Sequence, residues 1–230
     1  MLIIVDNKIP QQAKDKLSHH GSLLELETNG ITYEAISGHP DIFFHPAGEQ
    51  LIVAPNLPAQ YVEALKDEGV CFIMGEQAVG NKYPRSAAYN VVSTNNLLIH
   101  NFRNTDASIT SLLEDADLIH VDQGYTRCNL LPLGDDHFIS SDSGISRVLG
   151  RFDKDCLNIN PEGILLESFD HGFFGGCCGI HEQTIYIIGS LSHFSEGEKT
   201  RSYIQACGFK IVELYNGPLF DGGSIFFINT

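Results

Sequence analysis

Five times along this chain, a short polar entry leads into an apolar run, a tight polar turn and a second apolar run. The plainest copy is Phe174–Ile188, FGGCCGIHEQTIYII. It reads as a β-hairpin entered through a flexible glycine pair. The other entries are HPD before IFF, AYN before VVS, RCN before LLP and GGS before IFF. Aligned on their third residues (Asp41, Asn90, Asn129, Cys178 and Ser224), the copies are spaced by 49, 39, 49 and 46 residues. A repeat of that length is one supersecondary unit per copy.

In the first complete unit the hairpin strands are His39–Phe44 and Leu51–Ala54. A helix opens at Pro58, with Tyr61, Val62 and Leu65 on one face, and ends at Gly69, before a returning strand at Cys71–Met74. Proline at the start and glycine past the end are helix punctuation. The second unit places strands at Ala87–Ser93, Leu97–His100 and Leu118–Val121, with a helix after Thr105. The third places strands at Arg127–Pro132 and His137–Ser140, a helix at Ser143–Arg151 and a returning strand at Gly163–Ser168, with 153–162 irregular. In the fourth, Ser195 and Glu198 form a capping-box pattern, Gly208 stops the helix and Phe209–Leu214 returns. The fifth copy begins at Gly222–Phe227 and runs out of chain. Its missing strand, helix and strand are found at the other terminus: Met1–Val5, a helix from Pro10 to Gly21, and Ser22–Leu26. The expected architecture is therefore α/β: five ββαβ units around a pseudo-five-fold axis. The ring is closed by the N-terminal strand, which leaves it no open end, and the returning strands lie outermost. Residues 1–230 form a single domain in this reading. Its units start near 39, 87, 127, 174 and 220, and residues 1–30 complete the fifth.

Charge narrows the function classes. Lys and Arg number 14 against 29 Asp and Glu, a formal net charge of −15. Nucleic-acid affinity rests on neutralising phosphates with Lys and Arg, so no nucleic-acid partner is expected. The start, MLIIVDNK, lacks the basic and apolar regions of a signal peptide, and no apolar run approaches a membrane span. A cytoplasmic protein with reduced cysteines and no membrane partner is the expectation. The six cysteines include no CxxC pair, and neither a metal nor a cofactor is expected.

Five such units closed by an N-terminal strand resemble the pentein fold of the guanidine-modifying enzyme superfamily, which includes arginine deiminase, agmatine deiminase, dimethylarginine dimethylaminohydrolase and glycine amidinotransferase. The chain is most similar to a bacterial branch described by that fold alone. The resemblance implies a nucleophilic Cys, a His that moves protons, and carboxylates that hold the guanidinium cation. Carried across motif by motif, the first-unit Asp matches Asp41, with Pro40 where an Arg precedes it. The third-unit Asp/Asn matches Asn129, with Thr126 at the Glu position. The fourth-unit His falls on Gly176 and its Asp on Cys178. The final Gly-Gly matches Gly222–Gly223, and the nucleophile falls on Phe226 or Phe227.

The remaining candidates follow from position. Cys177 and Cys178 are adjacent on an expected strand, so they point to opposite faces and one could be a displaced nucleophile. By that parity Cys178 shares a face with Asn129, while Cys128 shares one with Cys177; a metal site from Cys128, Cys177 and a histidine is the weaker use of that pair. His39, His45, His171 and His181 flank unit starts or turns, and His171 is the candidate acid/base. Asp41, Asn90, Arg127, Asn129, Asp221 and Ser224 are candidate ligand-binding residues, Arg127 as a partner for a carboxylate. Two readings stay open. One is a non-catalytic pentein that binds a small molecule at the axial cavity, or a protein partner. The other is a divergent enzyme on a guanidino or amino-acid-like compound, using Cys177 or Cys178. Either allows a homo-oligomer.

Overall fold

The computed structural model describes all residues, Met1–Thr230. It contains five three-stranded sheets. The chain opens with β1 (Leu2–Asp6), α1 (Gln11–Ser18) and β2 (Ser22–Leu26), which belong to the fifth unit with the far end of the chain. Next come the helical turn α2 (Pro40–Phe43), β3 (Phe44–Ala47), β4 (Gln50–Val53), α3 (Ala59–Asp67) and β5 (Phe72–Met74). The second hairpin unit is β6 (Val92–Ser93), β7 (Leu97–His100), α4 (Ala107–Leu112) and β8 (Asp117–His120). The third is the turn α5 (Thr126–Asn129), β9 (Leu130–Pro132), β10 (His137–Ser140), α6 (Ser143–Gly150) and β11 (Asp155–Asn158). The fourth is β12 (Cys178–His181), β13 (Thr184–Ile187), α7 (Gly197–Ala206) and β14 (Lys210–Glu213), and β15 (Phe226–Ile228) ends the chain.

Connection length sets the strand directions. In each sheet a tight turn joins the first two strands, which pair antiparallel; a helical crossover joins the second and third, which pair parallel. The fifth sheet obeys the same rule across the chain ends. β15 pairs antiparallel with β1, placing Leu2 opposite Ile228 and Ile4 opposite Phe226, and β1 pairs parallel with β2. The N-terminal strand thus completes the last unit as the repeat pattern requires. Two of the hairpin turns take their left-handed residue from glycine, Gly48 (φ 61°) and Gly134 (φ 87°), and the β12–β13 turn takes it from Glu182 (φ 52°).

The structure corrects four expectations. The unit entries are not strands: Pro40–Phe43 and Thr126–Asn129 are single helical turns and Gly175–Cys177 is a 3-10 turn, each running directly into its inner strand. The returning strand of the third unit is Asp155–Asn158, paired with His137–Ser140. Gly163–Ser168 is a loop touching Phe220 through a single bridge at Leu165. Helix α6 ends within a few residues of β11, so the irregular 153–162 segment holds the strand and the apolar GILL run holds none. The capping box does not form: α7 starts at Gly197 behind Glu196, with no side-chain cap. Side-chain caps serve α4, where Asp106 accepts from the Ser108 N–H (2.9 Å), and α6, where Asp142 accepts from Gly144 (2.7 Å).

The core is built between neighbouring units. One cluster joins Ile4 and Phe226 of the fifth sheet to Phe43, Phe44 and Leu51 of the next. Ile4 is fully buried, on a strand paired on both sides. Ile4→Ala is expected to destabilise the protein by about 2–5 kcal/mol in urea unfolding. A loss below about 1 kcal/mol would show that the N-terminal strand does not hold the ring.

Candidate functional site

The turns that open the units bring short polar side chains to the axis. Asp41 projects from α2, and its Oδ2 accepts hydrogen bonds from Ser224 Oγ (3.0 Å) and Cys128 Sγ (3.0 Å). Asn90 Nδ2 lies 3.1 Å from Cys128 Sγ and 3.3 Å from the Asp41 carbonyl, and Asn90 Oδ1 accepts from the Cys128 N–H at 3.2 Å. Ser224 donates its N–H to the Gly176 carbonyl at 2.8 Å. Arg127 donates to the carbonyls of Gly175 (3.0 Å) and Cys178 (3.2 Å). These bonds pass through all five units and close on Asp41.

Asp41, Asn90, Ser224 and Arg127, all expected at the axis, meet there. Asp221 lies beside them, its carboxylate accepting from the N–H groups of Phe173 (2.8 Å) and Gly223 (3.1 Å). Asn129 turns away: its amide donates to the Tyr125 carbonyl (3.1 Å) and accepts from Ser141 (3.2 Å). The face assignment of the cysteines is also corrected. Strand alternation does not apply inside a helical turn, so Cys128 faces Asp41 while Cys177 donates to the Phe173 carbonyl (3.3 Å).

Burial sets the protonation of this site. It raises the Cys177 and Cys128 thiols well above their usual range and Cys178 to about 12, with Asp221 and Asp41 adding to the shift of Cys128. Neither Cys177 nor Cys178 hydrogen-bonds a histidine. His171 bonds only the Gly172 carbonyl (3.0 Å) and sets its ring edge against Phe173. Burial raises Asp221 to about 7, with Asp41 contributing, and Asp6 to about 6. It lowers His39 and His45 to about 3, so both rings are neutral at pH 7.

A cavity of about 550 Å³ opens beside the axis. Arg127 is the only lysine or arginine in its lining, and the walls include Val91, Ile225, Phe226 and Phe227. Arg127 has no carboxylate within 4.0 Å of its nitrogens. His45 also lines the cavity, and its buried Nε2 has no partner. The two phenylalanines occupy the positions that the resemblance gives to the nucleophile. Phe227 packs between the rings of His181 (5.3 Å) and Tyr186 (4.8 Å). The roles of Cys128, His39, His45 and Asp6 were not legible as one group from the sequence. Asp6 had a usable signal: continuing the pairing of Ile4 with Phe226 sets it opposite Ser224.

The family of unknown function DUF6873 matches the chain over residues 4–226. The chain belongs to this family. No curated protein matches it. Among solved structures it is similar to the agmatine deiminase of C. jejuni, with a TM-score of 0.58 and 8% identity over 95% of this chain and 78% of that one. It is similar to dimethylarginine dimethylaminohydrolase from Pseudomonas aeruginosa in complex with citrulline (TM-score 0.51, 11% identity, 92% and 91% of the two chains). An amidinotransferase of the saxitoxin biosynthetic pathway from Microseira wollei gives a TM-score of 0.53 at 10% identity, over 92% and 87%. These are pentein proteins, and the five mixed sheets described above are the pentein fold. No helix of this pentein is long and apolar enough to cross a membrane.

A thiol held neutral by burial is a poor nucleophile. Iodoacetamide at pH 7–8 is expected to modify the exposed Cys71 and leave Cys128, Cys177 and Cys178 untouched until the protein unfolds, as read by mass spectrometry of each cysteine. Fast labelling of Cys177 or Cys178 in the native protein would restore a catalytic role for that residue.

Proposed function

We propose that this pentein is a binding protein rather than a guanidine hydrolase, and that it holds a small molecule with an anionic group in the Arg127 cavity. The observation that carries the reading is the guanidinium itself: it lines a cavity beside Val91, Ile225, Phe226 and Phe227 and forms no ion pair, the one carboxylate of the lining, Glu182, standing more than 4.0 Å away. A planar five-donor cation of this kind suits a carboxylate or phosphate. The cavity volume, about 550 Å³, falls in the range of small-molecule sites. Phe226 and Phe227 offer a surface for the apolar part of the ligand, and the unpartnered His45 Nε2 offers one further polar contact.

The same cation disfavours guanidino substrates. Agmatine and dimethylarginine, for which two of the similar proteins are named, carry a positive charge, and a like charge inside a low-dielectric cavity is repulsive. Nucleophilic attack has no support either, because the phenylalanines can neither attack nor move a proton. The alternative enzyme reading would need Cys177 or Cys178 paired with a base, and His171 bonds elsewhere.

The test is a thermal-shift and calorimetric screen with phosphate, succinate, citrate and phenylpyruvate, alongside incubation with arginine, agmatine and dimethylarginine. Saturable binding of at least one anion is expected, with affinity falling at least about tenfold, or about 1.4 kcal/mol, in Arg127→Gln. No ureido product or released amine is expected from the guanidino compounds. Turnover of any of them, or anion binding that is unchanged in Arg127→Gln, would overturn the reading.

A further inference from the structure

Next to the cavity, but lining neither it nor the second main cavity, lies a buried group that the anion reading does not use. His39, Asp41 and Cys128 each present a metal-binding atom, and these atoms lie within 4.8 Å of one another. All three side chains are at least nine-tenths buried. Two of them end in unpartnered atoms, His39 Nδ1 and Asp41 Oδ1, and so does their neighbour Asp6, at Oδ2. Buried polar atoms without partners are uncommon and costly. Here two of them belong to the three-residue cluster and the third stands beside the other nitrogen of its histidine.

We propose that His39, Asp41 and Cys128 form a buried site for one divalent transition-metal ion, with Zn²⁺ the best match. A set of one thiolate, one imidazole and one carboxylate suits zinc and is wrong for magnesium or calcium, which take oxygen ligands. Tetrahedral zinc with bonds of about 2.0–2.3 Å sets its ligands roughly 3.5 Å apart, so the three side chains need close by only about 1 Å. Asp6 sits behind the ring: its Oδ2 is 3.8 Å from His39 Nε2. A closure of under about 1 Å would let that carboxylate accept a hydrogen bond from Nε2 and leave Nδ1 for the metal, the usual arrangement behind a ligating histidine. Cys128 now donates its thiol proton to Asp41 Oδ2. On binding, the sulfur–metal bond forms and that proton leaves to solvent, with no change of oxidation state.

Room for the histidine is provided by glycine. A Cβ on Gly223 would lie 2.2 Å from His39 Cβ, and one on Gly38 would lie 2.4 Å from Asp6 Oδ1. The nearby Arg127 favours the Asp41 carboxylate only at longer range, since it forms no ion pair and its guanidinium donates to the Gly175 and Cys178 carbonyls.

The full-length protein, produced in cobalt-supplemented medium and stripped of loose metal by gel filtration, tests this directly. One equivalent of cobalt is expected, with a thiolate-to-cobalt charge-transfer band and tetrahedral visible bands. Alkylating the exposed Cys71 beforehand should leave the spectrum intact, and Cys71→Ser should behave as wild type. Cys128→Ser should lose the charge-transfer band and at least about ninetenths of the retained metal, and Asp6→Asn should weaken retention by about 10–100-fold. Absence of a charge-transfer band in wild-type protein overturns the proposal without any variant, so it does not depend on Cys128→Ser folding. Cobalt held without that band, or held equally by a folded Cys128→Ser, also overturns it.

Discussion

The fold is closed at one buried carboxylate. Asp41 is fully inaccessible, and its Oδ2 joins the first unit to the fifth through Ser224 and to the third through Cys128. Asn90 brings the second unit to the same point, and Ser224 reaches the fourth through Gly175 and Gly176. A ring of five units has no central strand around which to organise. It is held by core packing between neighbours and by this set of short hydrogen bonds. Small side chains and glycines are what the geometry demands there: a Cβ on Gly175 would lie 2.4 Å from the Arg127 carbonyl, and one on Gly176 only 1.9 Å from Asp221 Oδ1.

The architecture was legible because the signals that specify it are periodic and local. The apolar runs LLIH and HFIS are strands at the residues their pattern marks. Pro58 and Gly69 bracket α3, and the match between the incomplete last copy and the N-terminus gives ring closure. The axis was legible only in part. The repeats bring Asp41, Asn90 and Ser224 to one place, and the structure joins them. The same alignment assumes extended backbone at every unit entry, and there it fails. Pro40 favours the first turn of a helix, and Thr126–Asn129 likewise forms a turn. A helical turn of four residues rotates each side chain by about 100° per step. Asn129 therefore leaves the axis while Cys128 enters it.

The third unit shows a different limit. GILLES is more apolar than DCLN, yet DCLN pairs with HFIS and GILLES stays a loop. An apolar run states that a segment will be covered and does not state what will cover it. Loop length decided the matter: α6 hands the chain to β10's open edge within a few residues, and a short crossover is the cheaper closure in entropy.

Arg127 and Cys128 are neighbours in sequence, and the turn that holds them sends them to different environments. One side chain reaches the cavity with its apolar walls; the other is sealed against Asp41. Pentein chemistry on a guanidinium needs a nucleophile and acids on the same cavity wall. This chain has phenylalanines at the nucleophile position on that wall, and the thiol of Cys128, with Asp41 and His39, lies outside the cavity lining. The groups that would make a hydrolase are thus present as types, with Asp41 and Cys128 buried and absent from the cavity lining. That partition removes water and substrate from the buried cluster. It leaves the cavity lined by a cation, a neutral histidine, one carboxylate at Glu182 and the apolar side chains of Phe226 and Phe227.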